Sequence, residues 1–153
     1  MCDLTVENLT HATMPDGTNH DQPSSKWVRL WVVEVNGYKI EPGAELTYAD
    51  LSGAHLLRAE LSGANLFGAN LFGANLFHAS MTGVNLVDAN LSNTKLSDAN
   101  LTNANLTNAN LTNANLTNAN LTNANLRGAD LTNSDLTNAD LTNATMPDGR
   151  IHG

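Results

Sequence analysis

Five histidines, one cysteine and fifteen carboxylates are the groups in this chain that could ligate a metal or move a proton. The histidines stand at 11, 20, 55, 78 and 152, without the His-x-His or His-Glu-x-x-His spacing that puts two imidazoles on one ion. Cys2 is alone, which excludes an internal disulfide and a thiolate cluster. Arg58, His78 and Asp98 form the one suggestive set, because they are successively twenty residues apart. Acid–base catalysis there would also need a nucleophile and a cleft to converge on, and the sequence supplies neither. No catalytic, cofactor-binding or metal-ligating residue is therefore assigned, and the chain is not read as an enzyme.

The elements that would have to position such groups are unusual. The chain has 153 residues, the length of one domain, and its 41% hydrophobic content is near the globular norm. No apolar run approaches the ~18–20 residues of a membrane span. Met1-Cys2-Asp3 does not open a secretory signal, so the expected location is cytoplasmic. A net charge of −8 argues against direct binding to nucleic acid or an anionic membrane, since both require a basic face.

From Leu46 to Met146 an aliphatic residue recurs every five positions, making 21 centres of which only Met81 and Met146 are not leucine. Two residues before each centre stands alanine, from Ala44 to Ala144, replaced only by Val84, Thr94 and Ser134. Neither regular structure can bury this pattern. Five residues advance an α-helix by ~500°, so the leucines would circle its axis. On a flat strand an odd spacing sends alternate leucines to opposite faces. The remaining solution is a chain that turns a corner in every repeat and keeps each leucine inside. The residue two after each centre is mostly Gly or Asn, the residues that tolerate the positive φ of a type II turn.

The motif Ala-[Asp/Asn]-Leu-[Ser/Thr]-[Gly/Asn] resembles the pentapeptide-repeat family, over roughly two thirds of the chain. The resemblance implies an all-β fold: a right-handed quadrilateral parallel β-helix, a solenoid with four repeats per coil. Leucine and alanine would point inside and the other three positions outside. Residues twenty apart would then stack one above another, about 4.8 Å per coil, in a tower roughly 25 Å tall. On that map Arg58, His78 and Asp98 form a surface ion-pair row. At the corners, bulky residues should resist positive φ, so Tyr48, Arg58, His78, Asp88 and Asp98 are expected to mark distorted or type I-like turns.

Four segments follow. Residues 1–14 carry the same rhythm at Leu4, Leu9 and Met14 and are expected to be further repeats of the β-helix. Residues 15–43 are a non-repeat insert or cap. Its β-prone stretch from Trp27 to Val35 should fold over Asn36-Gly37 into a hairpin, with Val35 facing Tyr38 and Glu34 facing Lys39. Residues 44–149 are the β-helix proper, and 150–153 a C-terminal tail.

Leu57, Phe67, Phe72, Phe77 and Val87 each follow a centre directly, so the repeat points them outward as an apolar belt, the candidate interaction surface. The leading reading is a non-catalytic scaffold or protein-interaction module, monomeric or weakly dimeric, with a protein partner not identified by the sequence and with no cofactor. An alternative is mimicry of duplex DNA against an enzyme such as gyrase, an activity found in some pentapeptide-repeat proteins. B-DNA carries one charge per ~1.7 Å, so a 25 Å mimic needs roughly 15 negative charges. Between Ala44 and Met146 this chain offers eight acids and three bases. A second alternative is an ice-binding solenoid, suggested by the hydroxyl row Ser62, Thr82, Thr102, Thr122 and Thr142.

Overall fold

The computed structural model describes residues 33–153, and the expected repeats in 1–14 together with the start of the insert lie outside them. Strand β1 (Val33–Val35) and strand β2 (Tyr38–Ile40) pair antiparallel, Val33 with Ile40, Glu34 with Lys39 and Val35 with Tyr38. Asn36 and Gly37 both hold positive φ, 53° and 82°, as a two-residue type I′ turn requires.

Beyond the hairpin the chain coils. The residue before each centre pairs in parallel with the residue twenty positions later, from Glu45 with Asn65 to Asn125 with Thr145. One coil is therefore four repeats, and it has four sides because each repeat closes a turn from the N–H of the alanine-type residue, three after the centre, back to the carbonyl of the centre. Ala69 N–H, for example, donates to Leu66 O at 3.0 Å. The first such turn lies at Glu41-Pro42-Gly43-Ala44, where Ala44 N–H reaches Glu41 O at 3.1 Å. Leucine centres and alanines fill the axis, and Leu61 through Leu126 are sealed from solvent.

The corners correct one expectation. Tyr48, Arg58, His78, Asp88 and Asp98 adopt φ of 56°, 56°, 57°, 57° and 57°, the same as the Asn corners. They are ordinary type II turns, neither distorted nor type I. The reason lies in the ladder. The peptide in the middle of each turn aims its N–H at the next coil: Arg58 N–H donates to Phe77 O at 2.9 Å and His78 N–H to Ser97 O at 3.1 Å. A type I turn flips that peptide and loses the bond. With coils stacked above and below, the ladder outweighs the ~1–2 kcal/mol penalty of a left-handed side-chain-bearing residue.

The ladder also explains the outward Asn and Asp. In the repeat Asn85–Ala89, four N–H groups find carbonyls: Asn85 to Ala64 O (3.0 Å), Leu86 to Asn105 O (2.7 Å), Asp88 to Thr107 O (3.0 Å) and Ala89 to Leu86 O (3.1 Å). The fifth, on Val87, donates to the Asn85 side chain, Oδ1, at 3.3 Å. An Asx residue before the centre thus completes the backbone accounting of its own repeat. Pro42 and Pro147 stand at the position of that fifth N–H, after Ile40 and Thr145, which have no Asx oxygen to offer it. Proline there removes the donor.

Small departures inside the axis are visible. Val84 and Thr94 replace alanine in the coil from Met81 to Asn100, and the turn bonds at both lengthen to 3.2 Å, against 2.9–3.0 Å in the coil from Leu61 to Ser80. Thr94 is buried, and its hydroxyl donates to Leu91 O at 2.6 Å, so the polar atom is paired.

Both coil ends are covered in part. At the first coil, Ile40 joins the core with Val35 and Tyr38 packed beside it, and Asn36 Nδ2 donates to Asp50 O at 3.0 Å. At the last coil the chain reverses through Pro147-Asp148-Gly149, and Thr145 pairs antiparallel with Ile151. Residues 150–152, expected as a tail, form an edge along one side: Met146 N–H donates to Arg150 O at 2.7 Å and His152 N–H to Ala144 O at 2.8 Å.

Candidate interaction surface

Leu57, Phe67, Phe72, Phe77 and Val87 occupy the second turn position of their repeats, which faces away from the axis. The ladder fixes their columns. Tyr48 N–H donates to Phe67 O and Gly68 N–H to Val87 O, placing Phe67 and Val87 on one side. Arg58 N–H donates to Phe77 O, which stacks Leu57 with Phe77 on another. Phe72 lies between Ser52 and Ser92 on the side between, linked by Gly53 N–H to Phe72 O and Gly73 N–H to Ser92 O.

The five are not equally available. Phe72 is 49% exposed and Leu57 43%, while Phe67, Phe77 and Val87 are half-buried against their neighbours. Tyr48, a corner residue and not one that follows a centre directly, joins the belt. Its ring stands edge-on to Phe67 with centroids 5.4 Å apart and is 69% exposed. It lies against Gly68, where an added Cβ would come within 2.5 Å of the ring carbons Cε1 and Cδ1. The sequence signal was the twenty-residue offset of Tyr48 from a glycine, which only a known coil length makes legible. Phe77 packs against His78, with ring centroids 4.1 Å apart.

Among the described residues the titratable groups do not converge. Among the described residues, Arg58, His78 and Asp98 share a column but form no ion-pair row. The His78 ring turns sideways onto Phe77, and Asp98 Oδ1 accepts Asn118 Nδ2 at 3.1 Å. The one ion pair among the described residues is Arg150 with Asp148, at 3.4 Å. No group of three or more His, Cys, Asp or Glu in this region is placed to hold a metal ion. Asp50, Asp130, Asp135 and Asp140 have carboxyls held below the usual range, first by the hydroxyl and then by the N–H of the Ser or Thr two residues on. These are the Asx turns of the fold in their charged form.

A four-sided coil of five-residue repeats, leucine at every centre, is matched by the sequence profile of pentapeptide repeats, in 8 copies across residues 44–83, 69–108, 85–123 and 109–148. The chain belongs to the pentapeptide-repeat family. Among solved members, Rfr23 from the cyanobacterium Cyanothece 51142 is 44% identical, with a TM-score of 0.58 over 61% of this chain and 64% of that one. The pentapeptide-repeat protein alr5209 from Nostoc PCC 7120 is 33% identical over 49% of this chain and 62% of its own, at a TM-score of 0.49. The plasmid-mediated fluoroquinolone resistance protein QnrB1 is 18% identical, with a TM-score of 0.41 over 73% of this chain and 75% of that one. This pentapeptide-repeat chain thus spans less than two thirds of the length of Rfr23 and of alr5209. No curated protein matches it.

Proposed function

We propose that this pentapeptide-repeat chain is a non-catalytic scaffold, a right-handed four-sided β-helix that holds a protein partner against its lower coils. The observation that carries the reading is the belt of Tyr48, Phe72 and Leu57, which stand on three successive sides of the first two described coils. Large apolar side chains stand open to solvent there, on a backbone whose centre and corner N–H groups are committed coil by coil. Such a surface is rigid before binding, so ordering it costs a partner little. Apolar and aromatic side chains are the usual anchors of an interface. The coils above offer no comparable feature, since the tract from Leu101 to Asn125 repeats Leu-Thr-Asn-Ala-Asn identically on all four sides. That tract reads as spacer.

The other readings draw less support. Eight acids against three bases from Ala44 to Met146 is about a third of the charge density that DNA mimicry requires. An ice-binding row needs free hydroxyls, whereas the Thr102 hydroxyl donates to Asn100 Oδ1 at 2.7 Å and Ser62 Oγ lies 2.9 Å from Ser80 Oγ. The test of the scaffold reading is affinity capture from the native cell with the wild type and with a Tyr48→Thr, Leu57→Thr, Phe72→Thr variant. The variant should lose a defined partner while keeping its melting temperature. Equal capture by both proteins would contradict the proposal.

A further inference from the structure

Among the described residues, the sheet edge of the last coil is only partly paired. In the coil beneath it, centre and corner N–H groups donate upward, as Leu111 N–H does to Asp130 O at 2.8 Å and Asn113 N–H to Thr132 O at 2.9 Å. In the last coil the equivalent N–H groups of Leu131, Asn133, Leu136, Asn138 and Leu141 have no partner among the described residues, nor do the carbonyls of Ala129, Ser134 and Ala139. Beneath that rim Leu131, Leu136 and Leu141 are only half-buried, where inner leucines are sealed. The antiparallel edge at Ile151 covers one side, next to Thr145. An edge offering donors and acceptors over a row of leucines is complementary to itself, so a second copy of the same end is its natural two-fold partner.

The side chains at this edge depart from those of every inner coil. The residue before each centre is Asn, Ser or Lys at all positions from Asn65 to Asn125. In the last coil it is Asp130, Asp135 and Asp140, and the fourth position is Thr145, where Ile151 already pairs. In the first coil the same register holds Glu45, Asp50 and Glu60, at the end that the β1–β2 hairpin adjoins. Six of the eight carboxylates between Ala44 and Met146 thus lie in the first and the last of the described coils.

Internal bonding does not ask for this. Asn110 Oδ1 accepts Thr112 N–H at 3.0 Å just as Asp130 Oδ1 accepts Thr132 N–H at 2.9 Å. The exchange of Asn for Asp therefore adds charge without adding a turn bond. The other charged groups of this end are Arg127, Asp148, Arg150 and His152, and Arg150 is already paired with Asp148.

We infer that Asp130, Asp135 and Asp140 keep the open edge of the last coil from pairing with the same edge of a second copy. Two such edges brought together would set six carboxylates within a few strand spacings of ~4.8 Å, and like charges placed so close oppose the pairing. Charged residues on an exposed sheet edge are a known defence of β-proteins against edge-to-edge association.

Sedimentation equilibrium of the whole chain tests the inference at about 0.01 M ionic strength, where charges act over ~30 Å. The wild type should be monomeric. The variant Asp130→Asn, Asp135→Asn, Asp140→Asn keeps each turn acceptor, as Asn110, Asn115 and Asn120 do, and should dimerise with a dissociation constant lower by about tenfold or more. Adding Thr132→Glu and Thr137→Glu to that variant returns charge to the same rim and should restore the monomer. In about 1 M salt, where the screening length is ~3 Å, the wild type should move toward the Asn variant. The inference is overturned if the Asn variant sediments as the wild type does, if the Glu-restored variant stays associated, or if the wild type already pairs through this end at low salt.

Discussion

Replacing Asn110 by alanine removes the one acceptor that Thr112 N–H has, because every other N–H of that repeat is satisfied by the ladder. The Thr112 hydroxyl, 2.6 Å from the same Oδ1, loses that bond as well but keeps the Asp130 carboxyl within reach. Asn110 is exposed, so water reaches both donors and the cost is the net worth of the bonds and not a burial penalty. At ~0.5–1.5 kcal/mol for a net hydrogen bond, and with the hydroxyl free to turn to solvent, the loss should be about 1 kcal/mol. For a chain of this size that lowers the melting temperature by roughly 2–4 °C. Lys95 occupies the same register but offers no acceptor, and Ser97 N–H has no partner among the described residues. Lys95→Ala should therefore stay within about 0.5 kcal/mol, and Lys95→Asn should stabilise by ~0.5–1 kcal/mol through a new Asx turn. Thermal and urea denaturation followed by circular dichroism read all three. Equal losses for Asn110→Ala and Lys95→Ala, or no gain from Lys95→Asn, would refute the role assigned to this position.

Leu101→Ala should cost about 3–4 kcal/mol, against about 0.5 kcal/mol or less for outward Asn103→Asp. Leu101 is fully buried between Met81 and Leu121, and its ladder bond to Asn120 O (2.7 Å) keeps the coil from collapsing onto the cavity. Urea midpoints decide it. Acid should destabilise the chain through Asp130, Asp135 and Asp140, whose folded carboxyls titrate lower than unfolded ones because Thr hydroxyls and N–H groups bond the charged form. Their contribution is complete above the ordinary carboxylate range and disappears as the pH falls through the lowered folded values. Melting temperatures should thus fall more steeply below about pH 4 in the wild type than in the triple Asn variant.

What the sequence revealed, and what it hid, follow from the range of the forces involved. Burial of one leucine per repeat is a local demand repeated from Leu46 to Met146, so the cornered coil and its inside and outside were readable from spacing alone. The hairpin register followed from Asn36-Gly37 for the same reason. The corners at Arg58 and His78 were misjudged because single-residue sterics favours negative φ, while the deciding bonds reach Phe77 and Ser97, nineteen residues further along. Ion pairing within the Arg58 column failed similarly, since sharing a column does not fix where long side chains turn. The Asx role of the residue before each centre was present in the [Asp/Asn]-Leu-[Ser/Thr] spacing, yet it becomes visible only once the other four N–H groups are accounted for. Of the apolar belt, the sequence located the side chains but not their exposure. Phe67 and Phe77 are partly covered by Tyr48 and His78, leaving Leu57 and Phe72 as its open members.

Site-specific photo-crosslinking in the native cell tests the scaffold reading most directly. A photoreactive residue at Phe72 and, as a second protein, at Thr112 samples one side of the coil forty residues apart, once in the apolar belt and once in the uniform tract. A discrete crosslinked partner at 72 with none at 112 is the predicted result. Equal crosslinking at the two positions would contradict a dedicated surface on the lower coils.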